Sequence, residues 1–149
     1  MLYALVENVR SLYNVGAIFR TADGAGFSKI FLVGITGQPP HKEIRKVALG
    51  AEESVAWEYY PDAVQILEKL KKKSVQIVVL ESTERSIPYH QANYQLPLCL
   101  VIGNEYHGVS QEVIDDADLL VQIPMKGEKV SLNVAVAFGI CAYEIIKTT

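Results

Sequence analysis

Several protein classes are excluded by what this sequence of 149 residues lacks. Its two cysteines, Cys99 and Cys141, are too few for a disulfide framework and do not form a Cys-x-x-Cys pair. Both lie in apolar runs, which predicts that they are thiols of the hydrophobic core. The three histidines, His41, His90 and His107, lack the spacing of a metal site, so we expect no bound metal.

Long apolar runs and an excess of positive charge are also missing. No stretch of 18 uncharged apolar residues is present, so no membrane-spanning helix is predicted. The first residues contain no basic leader and reach Glu7 too soon for a signal peptide, which predicts a cytoplasmic protein. A net charge of −3 is not typical of proteins that coat polyanions, so any basic surface has to be local.

Short apolar runs alternate with helical patterns along the whole chain. The runs are rich in Val, Ile, Leu and Tyr, and several are continuously apolar, which is typical of strands buried on both faces. This alternation predicts an α/β fold, with an open, mostly parallel sheet and helices on both faces. The predicted strands are Leu2–Val6, Lys29–Val33, Val55–Tyr60, Val75–Leu80, Leu98–Ile102 and Leu119–Ile123.

Polar residues that favour helix N-termini mark where the helices begin. Asn14 is predicted to cap the first helix, Asp62 to open the second and Ser110 to cap a short third one. The last helix is predicted from about Ser131 to Lys147 and is apolar almost all round. Such a helix has to be covered on every side. We therefore expect a homodimer interface there, with a central core helix as the alternative.

Three polar clusters follow apolar runs, where ligands bind in open α/β sheets. They span Asn8–Arg20, Gly103–Ser110 and Ile123–Asn133. Some of their members also have simpler explanations. Asn14 and Ser131 are candidates for helix caps, Arg20 for a surface ion pair and Glu105 for a solvated carboxylate. Asn133 is harder to explain in this way, because a polar amide within an apolar segment needs hydrogen-bond partners.

In this order and spacing, the clusters resemble the motifs of the SpoU/TrmH family of RNA 2′-O-ribose methyltransferases, which belongs to the SPOUT superfamily. The resemblance covers essentially the whole chain. The first family motif matches Asn8, Asn14, Gly16 and Arg20. The second, apolar-Gly-x-Glu-x-x-Gly, matches Ile102–Gly108, and the third, Ile-Pro-Met-x-Gly followed by Ser-Leu-Asn-Val, matches Ile123–Gly127 and Ser131–Val134.

The resemblance implies a deep C-terminal trefoil knot and a homodimer with the C-terminal helix at its interface. It implies one catalytic domain over residues 1–149, with no separate RNA-binding domain. The implied cofactor is S-adenosyl-L-methionine, held largely by backbone groups. The implied cofactor contacts are Gly103, Ile123, Met125 and Leu132, with Glu81 and Ser82 as weaker additions. The implied catalytic residues are Asn14, Arg20, Glu105, Ser131 and Asn133.

The implied reaction is methyl transfer to a ribose 2′-hydroxyl of RNA, with tRNA favoured over rRNA. A guanidinium, with a pKa above about 12, is a poor base, so we expect Arg20 to bind phosphate or stabilise the developing alkoxide. A catalytically silent RNA-binding module and a base methyltransferase on the same scaffold are the alternatives. The candidates for RNA contacts are Arg10, Arg20, Lys42, Arg45 and Lys46, although a solvated helix face is an equal explanation for the last three.

Overall fold

A parallel sheet of seven strands is the central element of the fold, in a computed structural model that describes all of residues 1–149. The strand order is β3-β2-β1-β6-β4-β7-β5, and every neighbouring pair runs parallel. The parallel α/β architecture is therefore confirmed. The strands are β1 (Leu2–Glu7), β2 (Lys29–Val33), β3 (Ala56–Tyr60), β4 (Gln76–Leu80), β5 (Ile87–Pro88), β6 (Leu98–Ile102) and β7 (Leu119–Gln122).

Six helices connect or follow the strands, and a single 3-10 turn covers Tyr89–Gln91. The longest are the first and the last, which pack against each other. None of the helices is long and apolar enough to span a membrane. The helices are α1 (Leu12–Ala25), α2 (Lys42–Ala48), α3 (Ala51–Ser54), α4 (Ala63–Lys72), α5 (Gln111–Asp115) and α6 (Val134–Thr148).

Both faces of the sheet are covered, as the continuous apolar runs predict. Alternate residues of β6 point to opposite faces, so that Leu98, Leu100 and Ile102 join the core beneath α1, α2 and α6. Cys99 and Val101 join the core beneath α4 and α5. This two-sided burial explains why β6, the middle strand of the sheet, contains no polar residue on either face.

The two thiols are core residues, as predicted. Cys99 is fully buried in β6, and Cys141 is buried on α6 with its Sγ 3.9 Å from the Tyr94 hydroxyl. Burial raises the pKa of both thiols, because the low-dielectric interior disfavours the thiolate. Neither cysteine is therefore a nucleophile at neutral pH.

Two of the predicted helix starts are wrong. Ser11, not Asn14, caps α1, and its hydroxyl accepts the Asn14 N–H at 3.2 Å. Asn133, not Ser131, caps α6, because its Oδ1 accepts the N–H groups of Ala135 and Val136 at 2.9 and 3.1 Å. Asp62 caps α4 as predicted. Because Ser11 caps α1, the Asn14 side chain is available for a contact outside its own helix.

Helix α6 is covered on one side only within the chain. Phe138, Cys141, Ala142 and Ile145 are buried against α1 and the sheet, so the alternative of a helix central to one core is wrong. The opposite side carries an exposed apolar stripe at helical spacing, which we call the α6 stripe. It consists of Val136, Ile140 and Tyr143, which are 52%, 36% and 49% exposed.

Candidate active site

A cavity of about 440 Å³ opens beyond the carboxyl ends of β4, β6 and β7. Its walls are the three segments that follow these strands, together with residues at the start of α6. Sequence reasoning placed a site at this edge of the sheet, and the geometry agrees. All six residues predicted to contact the cofactor line it, namely Glu81, Ser82, Gly103, Ile123, Met125 and Leu132.

Close backbone packing shapes the part of the cavity wall that follows β6. A Cβ atom on Gly103 would lie 2.5 Å from the carbonyl carbon of Gly108, so no other residue fits there. Asn104 and Gly108 form an isolated antiparallel bridge, which closes residues 104–108 into a tight loop. Gly108 has a φ of +69°, in the left-handed region that favours glycine. Both glycines of the second motif are therefore required by the backbone.

Two carboxylates anchor this loop to the ends of other strands. Glu81, directly after β4, accepts the Val109 N–H at 2.7 Å. Glu7, at the end of β1, is only 6% exposed and accepts both the N–H and the hydroxyl of Ser110 at 2.8 Å. The sequence patterns did not predict a role for Glu7. Its position at the end of an apolar strand was nevertheless a signal, because a carboxylate in such a place needs a hydrogen-bond partner.

The Glu105 carboxylate joins the same loop to the start of α1. Its Oε1 accepts the Arg10 N–H at 3.0 Å, and its Oε2 accepts the Ser11 N–H at 2.9 Å and the Asn14 Nδ2 at 3.1 Å. The explanation of Glu105 as a solvated carboxylate is therefore wrong. Partial burial acts to raise the pKa of Glu105, but these donors outweigh it, so the pKa lies below its ordinary value.

The Asn14 amide continues this connection to α6. Its Oδ1 accepts a hydrogen bond of 3.2 Å from Nδ2 of Asn133, the residue that caps α6. Glu105, Asn14 and Asn133 thus form one hydrogen-bonded chain, which we call the Glu105 network. The partners expected for the Asn133 amide are present. Three of the five predicted catalytic residues are brought together in this way.

The other two predicted catalytic residues lie apart from the Glu105 network. Ser131 is exposed and lines the cavity just before α6. Arg20 is exposed on α1, does not line the cavity, and forms no ion pair within the chain, so a surface ion pair does not explain it. Six positions separate Arg20 from Asn14, which is a rise of about 9 Å along a helix.

Apart from Arg20, the predicted RNA contacts lie in two separate places. Lys42, Arg45 and Lys46 are exposed on α2, where Lys46 forms a 3.4 Å ion pair with Glu43. Arg10 instead lines a second cavity, next to the loop that carries Glu105. The three basic residues of α2 therefore fit an RNA contact and a solvated helix face equally well. Arg10 lies beside the candidate site.

The comparisons with known proteins identify the family. A model described as the SpoU rRNA Methylase family matches residues 1–143. This chain belongs to that family. The resemblance drawn from the three motifs is therefore confirmed. The Glu105 network and most of the cavity lining consist of residues of those motifs.

Curated relatives with similar sequences are named as RNA methyltransferases. A tRNA (guanosine(18)-2′-O)-methyltransferase of Aquifex aeolicus is 35% identical over 96% of this chain and 67% of its own length. A 23S rRNA (guanosine-2′-O-)-methyltransferase, RlmB, of Pseudomonas aeruginosa is 32% identical over 98% of this chain. The chain spans only 58% of that second relative.

Solved structures of the family share the fold. The TrmH/SpoU tRNA modifying enzyme of Aquifex aeolicus has a TM-score of 0.90 and 33% identity, over 99% of this chain and 74% of its own. An AdoMet-bound rRNA methyltransferase of Sinorhizobium meliloti has a TM-score of 0.90 and 32% identity. That similarity covers 98% of this chain and 56% of the other.

We predict that Glu105→Gln lowers the free energy of unfolding at pH 7 by about 2 kcal/mol. The amide replaces one acceptor oxygen with a donor that faces donors from α1, and a partly buried donor loses its partner. Urea denaturation followed by circular dichroism measures the change. Glu53→Gln, at an exposed position on α3, is the matched control and is expected to change stability by less than about 0.5 kcal/mol.

This difference should depend on pH. A carboxyl group whose folded-state pKa is lowered stabilises the fold above its ordinary pKa of 4.5, and the stabilisation is lost as the pH falls through the folded-state pKa. The gap between the unaltered protein and Glu105→Gln is therefore expected to narrow as the pH falls below that value. A gap that stays constant across the acidic range would contradict a charged Glu105 network.

Proposed function

We propose that this chain transfers the methyl group of S-adenosyl-L-methionine to a ribose 2′-hydroxyl of RNA. The observation that carries the proposal is that all six predicted cofactor residues line one cavity, directly beside the Glu105 network. The names of the similar proteins support the same reaction. We propose tRNA as a substrate in preference to rRNA, because the relative named for tRNA is 35% identical and the relative named for rRNA is 32% identical.

The residues of the cavity fit the proposed cofactor. Its volume of about 440 Å³ is in the range of small-molecule sites. Ile123 and Leu132 offer apolar walls for the adenine, and the backbone at Gly103 offers polar groups without a side chain in the way. When bound, the cofactor supplies an electrophilic methyl group. We also propose the deep trefoil knot, supported by the close approach of the segments after β4, β6 and β7 around this cavity.

The chain's own residues then have separate roles in the proposal. Asn14, Glu105 and Asn133 fix the start of α1 and the start of α6 relative to the cavity. Ser131, on the cavity wall, positions the ribose. Arg20 binds the RNA phosphate or stabilises the alkoxide that develops as the 2′-hydroxyl loses its proton to water. The hydroxyl oxygen gains the methyl group, and the methyl–sulfur bond of the sulfonium breaks to leave a neutral thioether. Alignment of the hydroxyl oxygen with the methyl group supplies much of the rate.

A homodimer completes the proposed site. The α6 stripe is apolar and exposed. Symmetric association with a second copy of the chain would bury this stripe. Helix α1, which carries Arg20, packs beside α6, so the same association brings Arg20 to the edge of the interface. We therefore propose that the RNA-binding surface is assembled from two subunits.

The proposed reaction is tested with labelled S-adenosyl-L-methionine and unmodified total RNA, which is then fractionated and hydrolysed to nucleosides. We expect label in a 2′-O-methyl nucleoside of one RNA class, and the fraction that carries it decides between tRNA and rRNA. Label in a methylated base would instead identify a base methyltransferase. No label in any RNA, despite measurable cofactor binding, would identify a silent RNA-binding module.

Replacing Arg20 separates its proposed role from cofactor binding. Arg20→Ala is expected to lower the methylation rate by at least about 100-fold, because a group that stabilises developing charge is removed. The affinity for S-adenosyl-L-methionine, measured by calorimetry, is expected to stay unchanged. Lys72→Ala, which removes a positive charge on α4, is the control. Equal losses of rate and of cofactor affinity would contradict this role.

The dimer is tested by placing a charge on the α6 stripe. Ile140→Asp is expected to convert a dimer into a monomer, because a carboxylate buried in an apolar interface is strongly disfavoured. Size-exclusion chromatography with light scattering measures the mass. Val64→Asp, on the exposed side of α4, should remain dimeric. An unaltered protein that is monomeric at all concentrations would overturn the proposal.

A further inference from the structure

A second cavity lies directly beside the proposed cofactor cavity. The two cavities share Asn104, Tyr106 and His107, which therefore form the wall between them. Arg10 and Ile35 complete the lining of the second cavity. It is a shallow, solvent-open depression of about 560 Å³ that these five residues line. The proposed reaction assigns no role to this space, although only one loop separates it from the proposed cofactor cavity.

The loop that forms this wall is held in one conformation by the Asn104 side chain. Its Oδ1 accepts the N–H groups of Tyr106 and His107, both at 2.9 Å, and its Nδ2 donates to the Asn8 carbonyl at 2.7 Å. The backbone bridge between Asn104 and Gly108, with hydrogen bonds of 3.1 and 2.9 Å, closes the loop at its base. A ligand that binds at the tip therefore meets a prearranged surface.

Tyr106 projects from the tip of this loop without a structural role of its own. It is 87% exposed, and its hydroxyl forms no hydrogen bond within the chain. An aromatic ring that is fixed at its backbone and open at its face is a surface on which a nucleobase can stack. Proteins that recognise unpaired nucleotides use aromatic rings in this way, whichever base is present.

Arg10 gives the second cavity a positive charge that no carboxylate of the chain neutralises. Glu105 accepts the backbone N–H of Arg10, and the guanidinium takes part in no ion pair. An exposed, unpaired guanidinium is suited to bidentate binding of a phosphate. The cavity therefore combines an aromatic face with a phosphate-binding group, which together match one nucleotide.

We propose that the second cavity binds an unpaired nucleotide of the RNA substrate, with its base on the Tyr106 ring and its phosphate on Arg10. The inference rests on the proposed methylation of RNA and specifies which part of the chain selects the substrate. Because Tyr106 also lines the cofactor cavity, the bound nucleotide is at or next to the ribose that is methylated. The substrate is accordingly a loop or another single-stranded region, not a duplex.

The first test compares two replacements of the ring. Tyr106→Leu keeps an apolar side chain but removes the aromatic face, whereas Tyr106→Phe keeps the face and removes only the hydroxyl. We expect Tyr106→Leu to weaken binding of a single-stranded RNA of about ten nucleotides by about 5- to 150-fold, the effect of losing one stacked base. Tyr106→Phe is expected to restore most of the affinity, and Val64→Ala is the surface control.

The same variants separate this inference from the proposed reaction. Affinity for S-adenosyl-L-methionine, measured by calorimetry, should change less in Tyr106→Leu than the affinity for single-stranded RNA does, because Tyr106 is only one of many residues that line the cofactor cavity. Binding of a duplex of the same sequence should not depend on Tyr106. An unaltered protein that methylates RNA while Tyr106→Leu does so equally well would overturn the inference alone. Tyr106-dependent binding of single-stranded RNA without methyl transfer would overturn the proposed reaction alone.

Photocrosslinking provides a readout that does not depend on activity. A single-stranded RNA that contains one 4-thiouridine is irradiated with the unaltered protein, and the linked peptide is identified by mass spectrometry. We expect the crosslink within residues 104–107. Crosslinks confined to other segments, such as α2 with its three basic residues, would overturn the assignment and place the RNA on that helix.

Discussion

The candidate site depends on the Glu105 carboxylate more than on any other single group. Its two oxygens receive three donors from the start of α1, and one of these, the Asn14 amide, extends the connection to the first residue before α6. The segments joined in this way are 91 to 119 positions apart in the sequence. Charge-assisted hydrogen bonds in a partly buried place are stronger than bonds between neutral groups. One carboxylate thus fixes the relative positions of all three sequence motifs.

The sheet makes this arrangement possible by placing β1 next to β6. Val6 pairs with Ile102, so the chain leaves both strands at the same edge and at the same height. Glu7 and Glu81 then hold the loop after β6 from its two sides, through hydrogen bonds to Ser110 and Val109. The architecture of the sheet therefore determines which segments meet, and three carboxylates determine how they are oriented.

Much of the fold was predictable from the sequence because buried parallel strands require continuous apolar runs. All six predicted strands are present with ends correct to within one residue, whereas β5, at two residues, was too short to leave a pattern. The caps of α1 and α6 were not predictable from local preference. Asn14 favours a cap by its residue type, but its amide is taken by Glu105, 91 positions away. The partner of Glu7 is equally remote, since Ser110 lies 103 positions later.

The loop between the two cavities separates what has to be constant from what is free to change. Residues 106 and 107 contribute only backbone N–H groups to the hydrogen bonds that hold the loop, and every amino acid except proline supplies such a group. Asn104 and the two flanking glycines carry the conformation. Side chains at the tip can therefore be exchanged without disturbing the backbone of the wall between the two cavities, so that new ligand preferences can arise in this scaffold while the shape of the loop is kept.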